Sequence, residues 1–233
     1  MKAAHIRIAV AMLALVGFSG AALAEAGQGS IARGGKLYDK WYKVIGVEAP
    51  TASHPLYPAA NEKYAADPAS NWRCKECHGW DGLGAAGAYA TGSHATGIVG
   101  LQGSVGGDPA AVVALLKGDH LYGDKLSEQD LTDLANFVVY GQVDWSALVA
   151  DKKSTGDAAN GQQVYETACI GCHGPDGKLP QDMPPLGSLA SNPWEVTHKV
   201  LNGQPGEAMP AMRAIDHQIS ADLVAYLATL PAQ

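Results

Sequence analysis

Four cysteines occur in this chain, and each stands in a Cys-x-x-Cys pair followed at once by histidine. The pairs are Cys74-Lys75-Glu76-Cys77-His78 in "CKECHGWDG" and Cys169-Ile170-Gly171-Cys172-His173 in "ACIGCHGPDG". On a helical turn, positions i and i+3 share a face, so two thiols at this spacing can reach both vinyl groups along one porphyrin edge. The next residue then swings its imidazole beneath the iron. Two thioethers and one Fe–N bond would fix a c-type haem at each motif. A dithiol redox pair would use Cys-x-x-Cys without needing the histidine. A four-cysteine zinc site would need its pairs close in sequence, and 91 residues separate these two. Plain disulfides, the ordinary use of cysteine in exported proteins, account for neither histidine. Two complete motifs with no cysteine left over therefore predict two covalently bound haems c.

The rest of the 233-residue chain bounds what could position them. Lys2 and Arg7, the apolar run "IAVAMLALVGF" and then Ala22-Leu23-Ala24 read as a signal peptide over residues 1–24, which predicts export to the periplasm and a mature start at Glu25. The apolar run is shorter than the ~18 to 20 residues that cross a bilayer, so it is not read as an anchor. Removing Lys2 and Arg7 takes the formal charge from -7 to -9. That balance argues against nucleic acid and anionic membranes as partners, and allows steering toward a basic one. About 209 residues then remain, enough for one large domain or two small ones. Gly contributes 28 residues and Phe only two, so core material is scarce unless a large planar cofactor fills the middle.

Around the second motif the chain reads "NGQQVYETACIGCHGPDGK", "MPPLGS", "VLNGQPGEAMPAM" and "ISADLVAYLATL". Over about residues 157–231 this resembles a class I cytochrome c domain: a first helix with Gly and Tyr ahead of the motif, a Pro-Leu-Gly loop, a Met-Pro ligand loop and a closing amphipathic helix. The first half is similar in plan. "GGKLYDKWY" (34–42) resembles the first helix and "LSEQDLTDLANFVVYG" (126–141) the closing one, with Ser127 as N-cap, Asp130 at N3 and Leu131, Leu134, Phe137 and Val138 on one face. The resemblance implies an all-α fold of two tandem cytochrome c-like helical domains, each around its haem. They span 25–150 and 151–233, the boundary falling in the polar run that starts at Asp144. An inserted, Pro- and Ala-rich loop at about 43–73 departs from the family plan and reads as an irregular excursion over the surface or a haem edge.

The resemblance makes His78 and His173 the proximal ligands. On the far side of the second iron, Met183, Met209 and Met212 compete. The resemblance selects Met209, which stands in "MP" 17 residues before Tyr226; Met212 is the runner-up. No methionine lies between Met12 and Met183. Setting the closing helices in register, Phe137 on Tyr226, gives an offset of 89, and that offset carries Met209 onto His120 in "LLKGDHLYGDK". His120 is thus the expected distal ligand of the first haem. His94 in "TGSHATG" is its runner-up, His54 in "SHPLYP" a third, and an open iron remains the alternative to all three. His198 and His217 read as surface or helix-end residues. In the family a carbonyl of the Pro-Leu loop takes the N–H of the proximal imidazole; Pro185-Leu186 matches that loop, and Gly100-Leu101 stands in its place in the first half. Trp72, Trp80, Tyr122 and Tyr140 are candidates either for lining the first haem pocket or for ordinary packing.

Imidazole on both faces donates more strongly to ferric iron, whereas a thioether favours the ferrous state. The resemblance therefore implies an electron carrier rather than an enzyme, passing single electrons from a low-potential first haem to a high-potential second one. Its expected partners are periplasmic or membrane-bound redox proteins, met through small transient interfaces: a dehydrogenase or quinol-oxidising complex as donor, an oxidase or reductase as acceptor. The architecture is similar to two-domain cytochromes of the c4 type, which carry methionine at both irons. Two other classes stay open. Catalysis at the first haem, as in dihaem peroxidases, needs an open iron, and the cysteine-ligated haem of dihaem thiosulfate dehydrogenases has no cysteine to use here. An electron-transfer subunit of a larger complex would use "NEKYAADPASNW" as its docking surface.

Overall fold

Two helix pairs, crossing at the same kind of contact, organise residues 26–233, which are those described in this computed structural model. The signal-peptide reading falls on residues 1–24 and lies outside them. In the first half, α1 (Gln28–Val44) is followed by α2 (Glu62–Ala65), α3 (Pro68–Asn71), the motif helix α4 (Cys74–His78), α5 (Pro109–Lys117) and α6 (Glu128–Tyr140). One turn, α7 (Trp145–Leu148), leads into a two-residue antiparallel hairpin, β1 (Val149–Ala150) and β2 (Lys153–Ser154). The second half has α8 (Ala158–Val164), which continues through a π turn at Tyr165–Cys169 into the motif helix α9 (Ile170–His173), then α10 (Leu186–Leu189), α11 (Pro193–Asn202) and α12 (Gln218–Leu227). The fold is all-α, as expected. No helix among the described residues is long and apolar enough to cross a membrane.

Local chemistry fixes these helices. Ser127 and Asp130 form a reciprocal capping box at the start of α6, which satisfies two otherwise orphaned N–H groups. Asp108 and Asn192 cap α5 and α11, and in both a proline opens the first turn, where its missing N–H costs nothing. The apolar face of α6 is buried as its spacing requires, with Leu131 and Leu134 at 0% and 1% exposure. Each is worth roughly 1.5 to 3 kcal/mol of transfer free energy.

α1 packs on α6 and α8 on α12, and both crossings depend on a glycine. A Cβ at Gly34 would overlap the Asp133 carbonyl and reach the Cβ of Phe137; a Cβ at Gly161 would overlap the Asp222 carbonyl and reach the Cβ of Tyr226. Asp133 to Asp222 and Phe137 to Tyr226 are the same offset of 89 residues, so the register drawn from the sequence is the register of the packing. Four residues beyond each glycine a buried tyrosine donates to the carbonyl that follows the motif histidine: Tyr38 to Gly79 and Tyr165 to Gly174, each at 2.6 Å.

The excursion is less irregular than its composition suggests. α2 and α3 form within it, and it folds back on the first half: Tyr42 donates to the Ala69 carbonyl (2.7 Å) and Trp72 Nε1 to the Ala52 carbonyl (2.7 Å), while His54, Tyr57, Asn71 and Trp72 are buried. Two apolar clusters result. The larger runs from Ile31 to Val139 and the smaller from Tyr165 to Leu227.

Candidate haem sites

The first motif lies on α4, whose last turn is ended by Gly79 at φ +82°, a left-handed conformation that glycine adopts at no steric cost. Cys74 and Cys77 are both unpaired, like Cys169 and Cys172. Burial pushes the Cys74 thiol up to about 11 and the Cys77 thiol up to about 12. His78 Nδ1 donates to the Val99 carbonyl at 2.8 Å. That bond fixes the tautomer and leaves the Nε2 lone pair for a metal, the usual arrangement behind a ligating histidine.

His120 sits in the loop after α5. Its ring centre is 6.2 Å from that of His78 and the two ring planes are inclined by 25°. A single metal held between two imidazoles at about 2 Å per bond separates their centres by about 6 Å, so this pair fits an iron with a histidine on each face. Burial lowers the affinity of both rings for a proton, which favours the form that can donate a lone pair. His120 Nδ1 is itself buried and has no hydrogen-bond partner among the described residues. The loop is held instead from behind: His54 Nε2 donates to the His120 carbonyl at 3.1 Å, and its Nδ1 accepts from the Leu56 N–H at 3.2 Å.

His94 and His198 are engaged elsewhere. His94 Nδ1 donates to Glu76 Oε1 (2.6 Å) and its Nε2 accepts from the Tyr64 hydroxyl (3.2 Å), with its ring stacked between Tyr64 and Tyr89, both at 4.7 Å. The Glu76 carboxylate, 1% exposed, also lies 2.6 Å from Lys75 Nζ. Burial alone would raise its pKa, but the bond to His94 and the charge of Lys75 bring it below the ordinary value. The structure corrects the surface reading of His198. It is 3% exposed, with Nε2 on the Gly35 carbonyl at 2.9 Å and its ring against Tyr38, Phe137 and Trp80. Its partners all come from the first half of the chain, so no local pattern around position 198 marks its burial. His217 is half-buried and directly precedes α12, a helix-end position as expected. Trp72 and Tyr122 pack together over His54, and Trp80 faces α11 through His198.

The second site repeats the first with less support. The Leu179 N–H reaches the His173 carbonyl (3.1 Å) as the Gly84 N–H reaches that of His78 (2.8 Å), and Leu186 meets Gly177 (3.1 Å) as Leu101 meets Gly82 (2.7 Å). Yet His173 Nδ1 is buried without a partner among the described residues. The expected bond to Pro185 is not made because the Pro185 carbonyl is committed to the first turn of α10, accepting from Ser188 N (3.0 Å), Leu189 N (3.3 Å) and Ser188 Oγ (2.8 Å). The bond forms in the first half instead, two residues ahead of Leu101, where no Pro-Leu pair marked it. Met183, Met209 and Met212 all pack, partly buried, against the second apolar cluster.

Residues 156–227, about a third of the chain, match the profile of the cytochrome c oxidase, cbb3-type, subunit III family. This stretch is a cytochrome c domain, which implies covalently bound haem c and a part in haem-based electron transfer. Among solved structures, a chain of the Kuenenia stuttgartiensis reducing HAO-like protein complex Kustc0457/Kustc0458 is similar at 14% identity, over 78% of this chain and 99% of that one, with a TM-score of 0.30. No curated protein matches the chain.

Proposed function

We propose that the chain is an exported dihaem cytochrome c of two cytochrome domains, meeting near residue 150, that carries single electrons from a bis-histidine haem to a histidine–methionine haem. The observation that carries this reading is the His78–His120 pair: two rings with centres 6.2 Å apart, with the protein-facing nitrogen of His78 already spent on Val99. In the second half Cys169 and Cys172 would hold the haem, His173 and Met209 would ligate its iron, and Met212 is the alternative distal ligand. Cys74 and Cys77 would hold the first haem. Bound haem supplies one-electron redox chemistry; the chain supplies ligands, orientation and exclusion of water. With both irons six-coordinate there is no open position for substrate, which favours transfer over catalysis. The acidic mature surface suits brief docking with periplasmic redox proteins carrying basic faces. Pyridine haemochrome assay against protein mass tests the count. Two haems c per chain are expected, and one would sink the dihaem reading.

A second reading, substrate chemistry at the first iron, draws on the unpartnered Nδ1 of His120, since a ring held only through its backbone can leave the iron more readily. A high-spin first haem in the resting protein would favour it.

A further inference from the structure

α1 belongs to the first half, but one side of it faces α11 and the loop that carries Met209. At Gly35 the two halves meet so closely that a Cβ would overlap the Asn202 side chain. Asp39, one turn further, is 1% exposed and pairs in two directions. One oxygen takes the guanidinium of Arg73, the residue before Cys74. The other takes Lys199 Nζ at 2.8 Å, and Lys199 also donates to Gln204 Oε1 at 2.6 Å. Gln204 is the second residue of the loop. The first is Gly203, at φ +85°, where a Cβ would meet the Met209 carbonyl at 2.6 Å and Lys36 Cε, from α1, at 2.7 Å. At the loop's far end Arg213 is buried: its Nε donates to Asn202 Oδ1 (3.0 Å) and its guanidinium lies 5.7 Å from the ring centre of Phe137 on α6. Within the loop few backbone bonds hold the chain, chiefly Glu207 N to Gln204 O (3.3 Å) and Met212 N to Val200 O (3.0 Å).

We propose that Asp39 is a positioning residue for the distal methionine of the second haem: through Lys199 and Gln204 it ties the loop carrying Met209 to the attachment helix of the first haem. The proposal rests on the assignment of Met209 made above. A loop with few bonds of its own pays entropy to hold a thioether in place, and here the first half restrains that loop at both ends. Ligation at the second iron is thereby coupled to the integrity of the first half.

The test uses the full chain with both haems and follows the far-red absorption band that marks ferric histidine–methionine haem as pH is raised. Asp39→Asn removes the charge that holds Lys199. Gln204→Ala removes only the loop's end of the link, and Gln204→Glu restores a partner for Lys199. Asp39→Asn should lower the pH at which half the band is lost by about one unit, on the order of a tenfold easier loss of the ligand, as for a partly buried charge pair losing one member. Gln204→Ala should shift it in the same direction by less, and Gln204→Glu should return it to the wild-type value. The paramagnetic resonance of the first haem should stay unchanged throughout. Band loss at the wild-type pH in both Asp39→Asn and Gln204→Ala would overturn the proposal, as would equal disturbance of both haems. If Asp39→Asn fails to mature, Gln204→Ala with its glutamate counterpart decides alone. A wild-type protein with no such band would overturn the assignment of Met209 itself, and this proposal with it.

Discussion

At His78 the ring nitrogen that faces the protein donates to the Val99 carbonyl; at His173 the same nitrogen meets no acceptor among the described residues, because Pro185 has turned its carbonyl to cap α10. The contrast extends outward. The first half carries the excursion, which places His54, Trp72 and Asn71 behind the loop that carries His120, with His54 bonded to the His120 carbonyl. The second half has no such insertion, and its loop carrying Met209 leans on α1 and α6 of the first. Two copies of one helical plan have thus been supported by different means. One is braced by its own inserted segment and the other by its neighbour, so damage to the first half should reach the second more than the reverse.

Loss of covalent attachment should have the largest effect and treats the halves alike: Cys74→Ala or Cys172→Ala should halve the haem content measured by pyridine haemochrome. Equal loss of both haems from Cys172→Ala would mean that the first half depends on the second. Ligand substitutions should separate the halves. His120→Ala should turn the first haem high-spin and open to carbon monoxide or cyanide, with the far-red band intact, whereas Met209→Leu should abolish that band and leave the first haem low-spin. An unaltered spectrum in His120→Ala would pass the role to His94, and survival of the band in Met209→Leu would pass that role to Met212.

The junction between the halves should be acid-sensitive. Burial holds His198 down to about 4, against 6.5 for an ordinary histidine. The unfolded chain therefore binds this proton more readily, and stability that is intact above pH 6.5 falls as pH drops toward 4. The expected loss is about 3 kcal/mol by linkage. His198→Gln should flatten that stretch of a denaturant-measured pH profile; a profile parallel to wild type would contradict it. Asp39 acts lower. Burial favours its neutral form, but Lys199 and Arg73 outweigh this and hold it at about 2, so its contribution is full above about pH 4 and is lost only as pH falls through 2. The smallest effect should come from His54→Leu, which leaves the His120 carbonyl without its donor at a cost of about 1 to 2 kcal/mol in chemical denaturation. The second haem should not respond to it.

The motifs, the closing helices and their register were legible because each is written in local chemistry: Cys-x-x-Cys-His on a turn, Ser127 with Asp130 as a capping box, Gly34 and Gly161 four residues ahead of Tyr38 and Tyr165. What could not be read was long-range. His198 passes for a surface residue until Gly35, Tyr38 and Phe137 close over it. The partner of His78 is a backbone carbonyl, which any residue could supply, and Val99 carries no mark of it. Pro185 carried the family's mark, but a proline followed by Leu-Gly-Ser is also a helix start, and that use prevailed. The two helices inside the excursion leave no signal in the sequence because each is a single turn, too short for periodicity to register.

A redox titration followed by electron paramagnetic resonance tests the central claim, two unlike haems in one chain, most directly. Two low-spin ferric signals are expected. The histidine–methionine signal should disappear first as the potential is lowered, and the bis-histidine signal well below it. A single potential for both haems, or a high-spin signal from either iron in the resting protein, would contradict the account.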